Sequence, residues 1–341
     1  MRIAYLGTGD FAVPALEALV AGGHEVVVAI SQPDRPAGRG RQVQPTAVRA
    51  AAERLGVRHI PTADVNALPL SELGGAELGV VAAFGQKLGA GLLEGLPRGC
   101  INIHGSLLPR YRGAAPFQWA IINGETETGV TIFQLDAAWD TGPIWASRAT
   151  PIGDTETADE LHDRLAQHGA ALLVETLAGL AAGMLVPQPQ DRALATRAPK
   201  LRKTDAQVDW TQPAARVARR INGLWSWPAA TAVFAARDGR RERVLLARAG
   251  VGEEAGAADA ARPAGAFDEG GAVQCGTGRV RLLEVKPAGG RLMPFAAFAN
   301  GRRVTAGEQR ASRLGSTWKS SRRATTPSGA TVAWQAARCC S

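Results

Sequence analysis

Cysteine is scarce, with four in 341 residues. Cys100 and Cys275 stand alone, and Cys339 and Cys340 are adjacent near the end. No CxxC pair occurs, so the spacing offers neither a structural zinc site nor a disulfide framework. Long apolar runs are also missing. No stretch reaches the roughly 20 apolar residues that cross a bilayer. The first residues, Met1 to Gly7, meet glycine too soon for a signal-peptide core. These absences predict a cytoplasmic protein with no membrane partner. There is no G-x-S-x-G, which excludes a serine nucleophile elbow. Acidic residues are absent after Gln309, while Arg310, Arg313, Lys319, Arg322, Arg323 and Arg338 remain. Without apolar periodicity, residues 310–341 are expected to form a disordered basic tail.

What is present suits a globular chain of about two domains. Hydrophobic residues make up 45% and charged residues 21%. The net charge is +8 and the pI about 9.9. That balance fits either a polyanionic partner such as nucleic acid or a basic surface kept for solubility.

Residues 2–6, 25–31 and 78–84 read as strands apolar on both faces, and 57–60 as a short one. Helices are expected at 13–21 and 46–55, with a polar loop from Gln32 to Gln44 between strand and helix. Two strands near 128–136 and 142–150 are joined closely enough to pair antiparallel, and a long helix spans 158–180. This alternation predicts an α/β fold, a mostly parallel sheet covered on both sides. Residues 184–206, with Pro187, Pro189, Pro199 and a basic run, read as a linker. Beyond it lie one helix, near 213–222, and short strands near 230–235, 242–249, 272–275 and 279–286. These suggest a small antiparallel barrel. The expected division is 1–183, linker 184–206, 207–309, and tail.

The chemistry concentrates at residues 99–116. An apolar alternation of Cys100, Ile101 and Ile103 carries Asn102 and His104 on its other face. A carboxylate at Asp140, in the turn Asp140-Thr141-Gly142, is placed to reach His104 from a neighbouring loop. Amide, imidazole and carboxylate together suit acyl-type transfer: the amide binds an oxyanion, the imidazole handles protons, and the carboxylate orients it. A lone strand histidine is otherwise a structural residue. Gly7-x-Gly9-x-x-Ala12 has the form of a dinucleotide fingerprint, yet no acidic residue ends the second strand, so it also reads as a tight turn. The loop Asp34 to Arg41 carries Arg35, Arg39 and Arg41 toward the edge where Arg110 and Arg112 lie. Such cations fit phosphates, or a solvated surface. In Leu224-Trp225-Ser226-Trp227-Pro228 the tryptophans read as core, with base stacking as the other option.

These residues carry a resemblance. The run Cys100–Pro116 resembles the methionyl-tRNA formyltransferase family, as do Gln32–Gly40, Thr128–Asp136 and Asp140-Thr141-Gly142. So do Val208-Asp209-Trp210, Lys286–Gly289 and Asn300–Arg303 in the second half. Gly9, Arg197 and Leu224–Ser226 depart from the family pattern. The resemblance implies a Rossmann-like formyltransferase domain followed by an OB-like β-barrel that binds tRNA. It implies 10-formyltetrahydrofolate and initiator methionyl-tRNA as substrates, with no metal and no tightly bound cofactor; nothing demands more than a monomer. Asn102, His104 and Asp140 take the catalytic roles. Phe84, Gly85, Ser106, Leu107, Leu108 and Pro109 match the folate pocket. Phe11, Arg35, Arg39, Arg41 and Lys200 match contacts to the methionyl-tRNA. The rival expectations are a formyltransferase for another amine, such as glycinamide ribonucleotide or an amino-sugar nucleotide, and an inert RNA-binding relative.

Overall fold

The computed structural model describes residues 1–37, 42–235, 239–252, 262–268, 270–302, 304 and 333–336. The chain divides into two compact units. The first comprises Met1–Ala120, Thr126–Ile152 and Glu160–Lys200; the second comprises Ile121–Glu125, Gly153–Asp159 and Leu201–Ser341.

The first unit opens with β1 (Arg2–Gly7), α1 (Val13–Ala21) and β2 (Glu25–Ser31). A small hairpin follows, β3 (Arg35–Ala37) with β4 (Gln42–Gln44), where the sequence suggested only a polar loop. Next come α2 (Ala47–Leu55), β5 (His59–Pro61) and β6 (Leu78–Ala82). Then α3 (Ala90–Gly95), β7 (Cys100–His104), β8 (Arg112–Gly113) and α4 (Pro116–Asn123) lead to β9 (Glu127–Gln134), β10 (Ile144–Pro151), α5 (Ala158–Ala181) and β11 (Arg197–Ala198). Local chemistry sets the boundaries. Thr46 caps α2 by accepting from the Arg49 amide at 3.2 Å, and Gly56 ends it in the left-handed region, φ 69°.

Seven strands form the main sheet in the order β10-β9-β7-β6-β1-β2-β5. The five from β7 to β5 run parallel, and β9 is antiparallel to both its neighbours. Every residue of β6 is buried, as a central parallel strand requires. The carboxyl ends of the parallel strands therefore share one edge, where open α/β sheets bind ligands. His104 is the last residue of β7, at that edge. Gly7 allows the close turn after β1: a Cβ there would meet Ala12 Cβ at 2.7 Å. Gly9, the other half of the dinucleotide-like motif, has open space around it.

The second unit contains α6 (Ala214–Leu224), β12 (Ala230–Ala235), β13 (Arg241–Val251), β14 (Val273–Gln274), β15 (Arg279–Pro287), β16 (Met293–Pro294), α7 (Phe295–Arg302) and β17 (Ala333–Ala336). The strands form an antiparallel sheet ordered β14-β15-β13-β12-β17, with β16 also on β15. Register shifts around Arg248 bend the long β13 and curl the sheet toward a small barrel-like form. Phe234, Phe267 and Phe298 pack edge to face in its core, with Phe234 and Phe298 centroids 5.3 Å apart. Asn222 of α6 is buried and bonds both the N–H and the C=O of Ala249, at 2.8 and 2.9 Å.

Three expectations need correction. Within the tail, β17 pairs with β12, although the sequence there lacks alternation. Trp227 is 52% exposed and not core, and Trp225 is half-buried. The stretch from Val186 to Lys200 is no free spacer. Gln188 bridges to Ile144 through two 2.8 Å backbone bonds, β11 pairs with β8, and the Pro199 carbonyl accepts from Trp119 Nε1 at 2.8 Å. Among the described residues no helix is long and apolar enough to cross a membrane.

Candidate active site

β7 lies between β6 and β9, so its position is fixed from both sides. Asn102 sits opposite Val81 on one neighbour and Phe133 on the other, and His104 sits opposite Thr131. Asn102 and His104 share a face, as strand periodicity demands. Cys100 shares it too, one pair further back, so the sequence reading of that cysteine on the opposite face is corrected by the same parity. Burial pushes its thiol up to about 12, which leaves no thiolate nucleophile at neutral pH.

His104 is 6% exposed. Its Nε2 donates to the Tyr111 carbonyl at 2.9 Å, and its ring stands perpendicular to Phe133 with centroids 6.3 Å apart. Nδ1 faces Asp140 Oδ2 at 3.9 Å. That is too long for a direct hydrogen bond, so the two groups face each other across a short gap in a buried site. Asp140 is 7% exposed and adopts φ 55°, a left-handed conformation that aspartate tolerates. Its Oδ2 accepts the Gly113 amide at 2.8 Å. Asn102 is half-buried, and its amide has no protein partner among the described residues. The site thus pairs a buried acid–imidazole couple with an amide free to donate.

The Asp140 loop is braced at several points. Asp136 accepts the Thr141 hydroxyl at 2.7 Å. The Gln190 amide donates to the carbonyls of Asp140, at 3.0 Å, and Gly142, at 2.8 Å. Its Oε1 accepts from Arg112 Nε at 3.1 Å and Nη2 at 2.6 Å. Arg112, expected among the cations of that edge as a phosphate contact or a solvated charge, is half-buried and engaged by Gln190. The same segment supports the histidine side. Thr196 Oγ1 accepts the Tyr111 amide at 2.8 Å, and Gly113, at φ 125°, lies so close to β11 that a Cβ would meet the Ala198 carbonyl at 2.5 Å.

The residues after β7 form a tight turn pinned to β9. Ser106 is fully buried and its hydroxyl donates to the Arg110 carbonyl at 2.7 Å. Thr131 Oγ1 donates to the Ser106 carbonyl at 2.7 Å and accepts the Leu108 amide at 3.1 Å. Leu108 is buried; Leu107 and Pro109 are half-buried. Phe84 is buried after β6, and its carbonyl accepts from Thr8 and Gln32, each at 3.0 Å. Gly85, at φ 78°, faces Gln32 so closely that a Cβ would lie 2.6 Å from Nε2. Phe11 stacks on Phe117 at 6.5 Å and meets His162 edge-on at 5.5 Å. This trio adjoins the residue after His104: a Cβ on Gly105 would lie 3.2 Å from Phe117 and 3.8 Å from Phe11. Arg35 and Lys200 are exposed, and among the described residues neither hydrogen-bonds or ion-pairs with His104, whose partners are Tyr111 and Asp140. Arg39 and Arg41 lie outside the described residues. Among the described residues no three His, Cys, Asp or Glu side chains gather as a metal site.

Sequence reasoning missed Gln190, Tyr111 and Thr196. The first and last sit in a Pro-rich, aperiodic stretch, and Tyr111 contributes only backbone atoms.

The formyl transferase family model matches residues 1–177, and that of the formyl transferase C-terminal domain matches residues 200–303. The braces at Gln190 and Thr196 fall between them. The methionyl-tRNA formyltransferase of Heliobacterium modesticaldum is 44% identical over 315 residues, covering 90% of this chain and 99% of its own. That of Anaeromyxobacter dehalogenans is 46% identical over 304 residues, covering 84% and 94%. Among solved structures, WlaRD, a sugar 3N-formyl transferase, aligns with a TM-score of 0.60 at 16% identity, over 84% of this chain and 97% of that one. HypX from Aquifex aeolicus in complex with tetrahydrofolic acid aligns at 0.57 and 19% identity, over 93% and 50%. The structural likenesses speak for the fold; the sequence kinship, running through both units, shows that the chain belongs to the formyl transferases and, within them, to the methionyl-tRNA formyltransferase family.

Proposed function

We propose that this chain transfers the formyl group of 10-formyltetrahydrofolate to the α-amino group of methionine carried by initiator tRNA. One observation carries the chemistry: a buried His104–Asp140 couple stands beside the unpaired amide of Asn102, at the sheet's carboxyl edge.

The methionyl amine nitrogen bonds to the formyl carbon while the carbonyl electrons move to oxygen. Asn102 donates to that oxyanion, a contribution typically worth about 10²–10³ in kcat. His104 has Nε2 committed to Tyr111, so Nδ1 is the nitrogen that serves the reaction. Its proton supports the oxyanion, and Asp140 stabilises the positive ring beside it. As the C–N10 bond breaks, the folate nitrogen takes up a proton and the former amine gives one up, so protons balance. The turn Ser106 to Pro109, with Phe84 and Gly85, supplies the folate side. Phe11, Arg35, Arg39, Arg41 and Lys200 supply the methionyl-tRNA side.

The test is transfer of labelled formyl from 10-formyltetrahydrofolate to charged initiator tRNA, with charged elongator tRNA and small amines alongside. The expected result is transfer to initiator tRNA, reduced about 10²–10⁴-fold in His104→Ala and Asp140→Ala. Near-normal single-turnover transfer by His104→Ala, or preference for a sugar amine, overturns the reading.

A further inference from the structure

We propose that Gln190 is a positioning residue for the transfer reaction, acting through Asp140. This rests on the function proposed above. The side chain uses its whole hydrogen-bonding capacity. Both amide hydrogens go to backbone carbonyls, those of Asp140 and Gly142. Both acceptor directions of Oε1 take Arg112. The amide orientation is unambiguous, because a guanidinium only donates and a carbonyl only accepts.

The geometry makes Gln190 specific to the catalytic loop. Its two acceptors flank Thr141, so they hold the carbonyls on either side of the turn that presents Asp140. Asp140 has a left-handed backbone and Gly142 a neighbour at contact distance, so this turn has few alternative conformations. Asp140 Oδ2 bonds Gly113, next to Arg112, which is itself held by Gln190. Gln190 therefore links both strands of the contact: the loop that carries the carboxylate and the segment that donates to it. His104 Nε2 bonds the carbonyl of Tyr111, the residue before Arg112. One side chain thus sets the separation of the carboxylate from the imidazole. Catalytic geometry is sensitive on this scale: a misplacement near 1 Å costs about 10²-fold.

Two variants separate the parts of this claim. Gln190→Ala removes the brace. Gln190→Glu keeps a partner for Arg112 and loses both donors to the loop. Both are expected to lower kcat about 10–100-fold. The KM for tRNA should stay within about two-fold, since no tRNA contact is assigned to Gln190. The deciding measurement is a double-mutant cycle with Asp140→Asn. A residue acting through Asp140 adds no further loss to that variant, whereas a merely structural one multiplies it. A second readout needs no activity. Amide exchange at Gly113, whose N–H bonds Asp140, should quicken in both variants with global unfolding unchanged. Multiplicative losses, an unchanged kcat in Gln190→Glu, or unaltered exchange at Gly113 overturns the proposal. Absence of transfer by the unaltered chain overturns the functional reading instead, and the exchange experiment then still decides the brace.

Discussion

Replacing Gly142 by alanine tests whether the Asp140 loop works as a rigid mount. Gly142 is buried two residues beyond Asp140, and a Cβ built there lies 1.9 Å from the Gln134 carbonyl oxygen. Real Cβ atoms stay beyond 3.0 Å from such neighbours. The obstacle is backbone, tied in turn by the Gln134 amide to the Pro143 carbonyl at 2.9 Å, so it has no side-chain torsion to relieve it. The loop must retreat by about 1.1 Å, and the Gln190 bond to the Gly142 carbonyl stretches with it. A displacement of that size beside the reacting atoms costs about 10²-fold in kcat, or roughly 2.7 kcal/mol of barrier. Overpacking of this kind costs about 1–3 kcal/mol of stability, a loss of a few degrees in Tm. The assay is single-turnover formylation at saturating tRNA and folate, well below the Tm. Gly91→Ala, in α3 with open space around it, is the control and should match the unaltered chain. A folded Gly142→Ala protein with kcat within about two-fold of normal refutes the reasoning.

Two further predictions concern the scaffold. Asn222→Ala strips the buried Ala249 of partners for both N–H and C=O, at a cost on the order of 3 kcal/mol, readable as a lower urea midpoint with unchanged slope. His59 is held below its ordinary 6.5, first by burial and then by the Arg49 charge, and its ring bonds Ser31 at 2.9 Å. The folded state takes up that proton less readily than the unfolded one, so the stabilisation is complete above about pH 6.5 and declines as pH falls through the folded value. His59→Asn should therefore flatten the change in denaturation midpoint between pH 7.5 and 5.5; an equal slope in both proteins refutes the assignment.

Much of the sheet was legible because parallel strands buried on both faces leave continuous apolar runs, as at Leu78–Ala82. The pairing of β9 with β10 followed from the short loop between them. Asn102 and His104 were legible through period two alone, and the same rule, applied to Cys100, corrects its face. The turn Asp140-Thr141-Gly142 marks Asp140 in the sequence, but its 3.9 Å approach to His104 depends on a left-handed backbone no periodicity encodes. The segment around Gln190 was illegible for a physical reason. It contributes single bridges and the two-residue strand β11, too short for any pattern, and its prolines read as a spacer. Helix α7 was hidden similarly: Phe295 and Phe298 are buried among alanines that mark no face.

The position of that brace in the chain has a consequence for how the enzyme comes into being. All seven strands of the main sheet and every proposed catalytic side chain precede α5. During synthesis the sheet can form, with Asn102 and His104 on it and the Asp140 loop already made, while Gln190 and Ala198 are still unmade. A fragment ending with α5 would thus look finished by its strand content and remain slack at its centre. Maturation of the site is set by the last few bonds from an unpatterned stretch of chain, and it trails the folding of the domain that houses it.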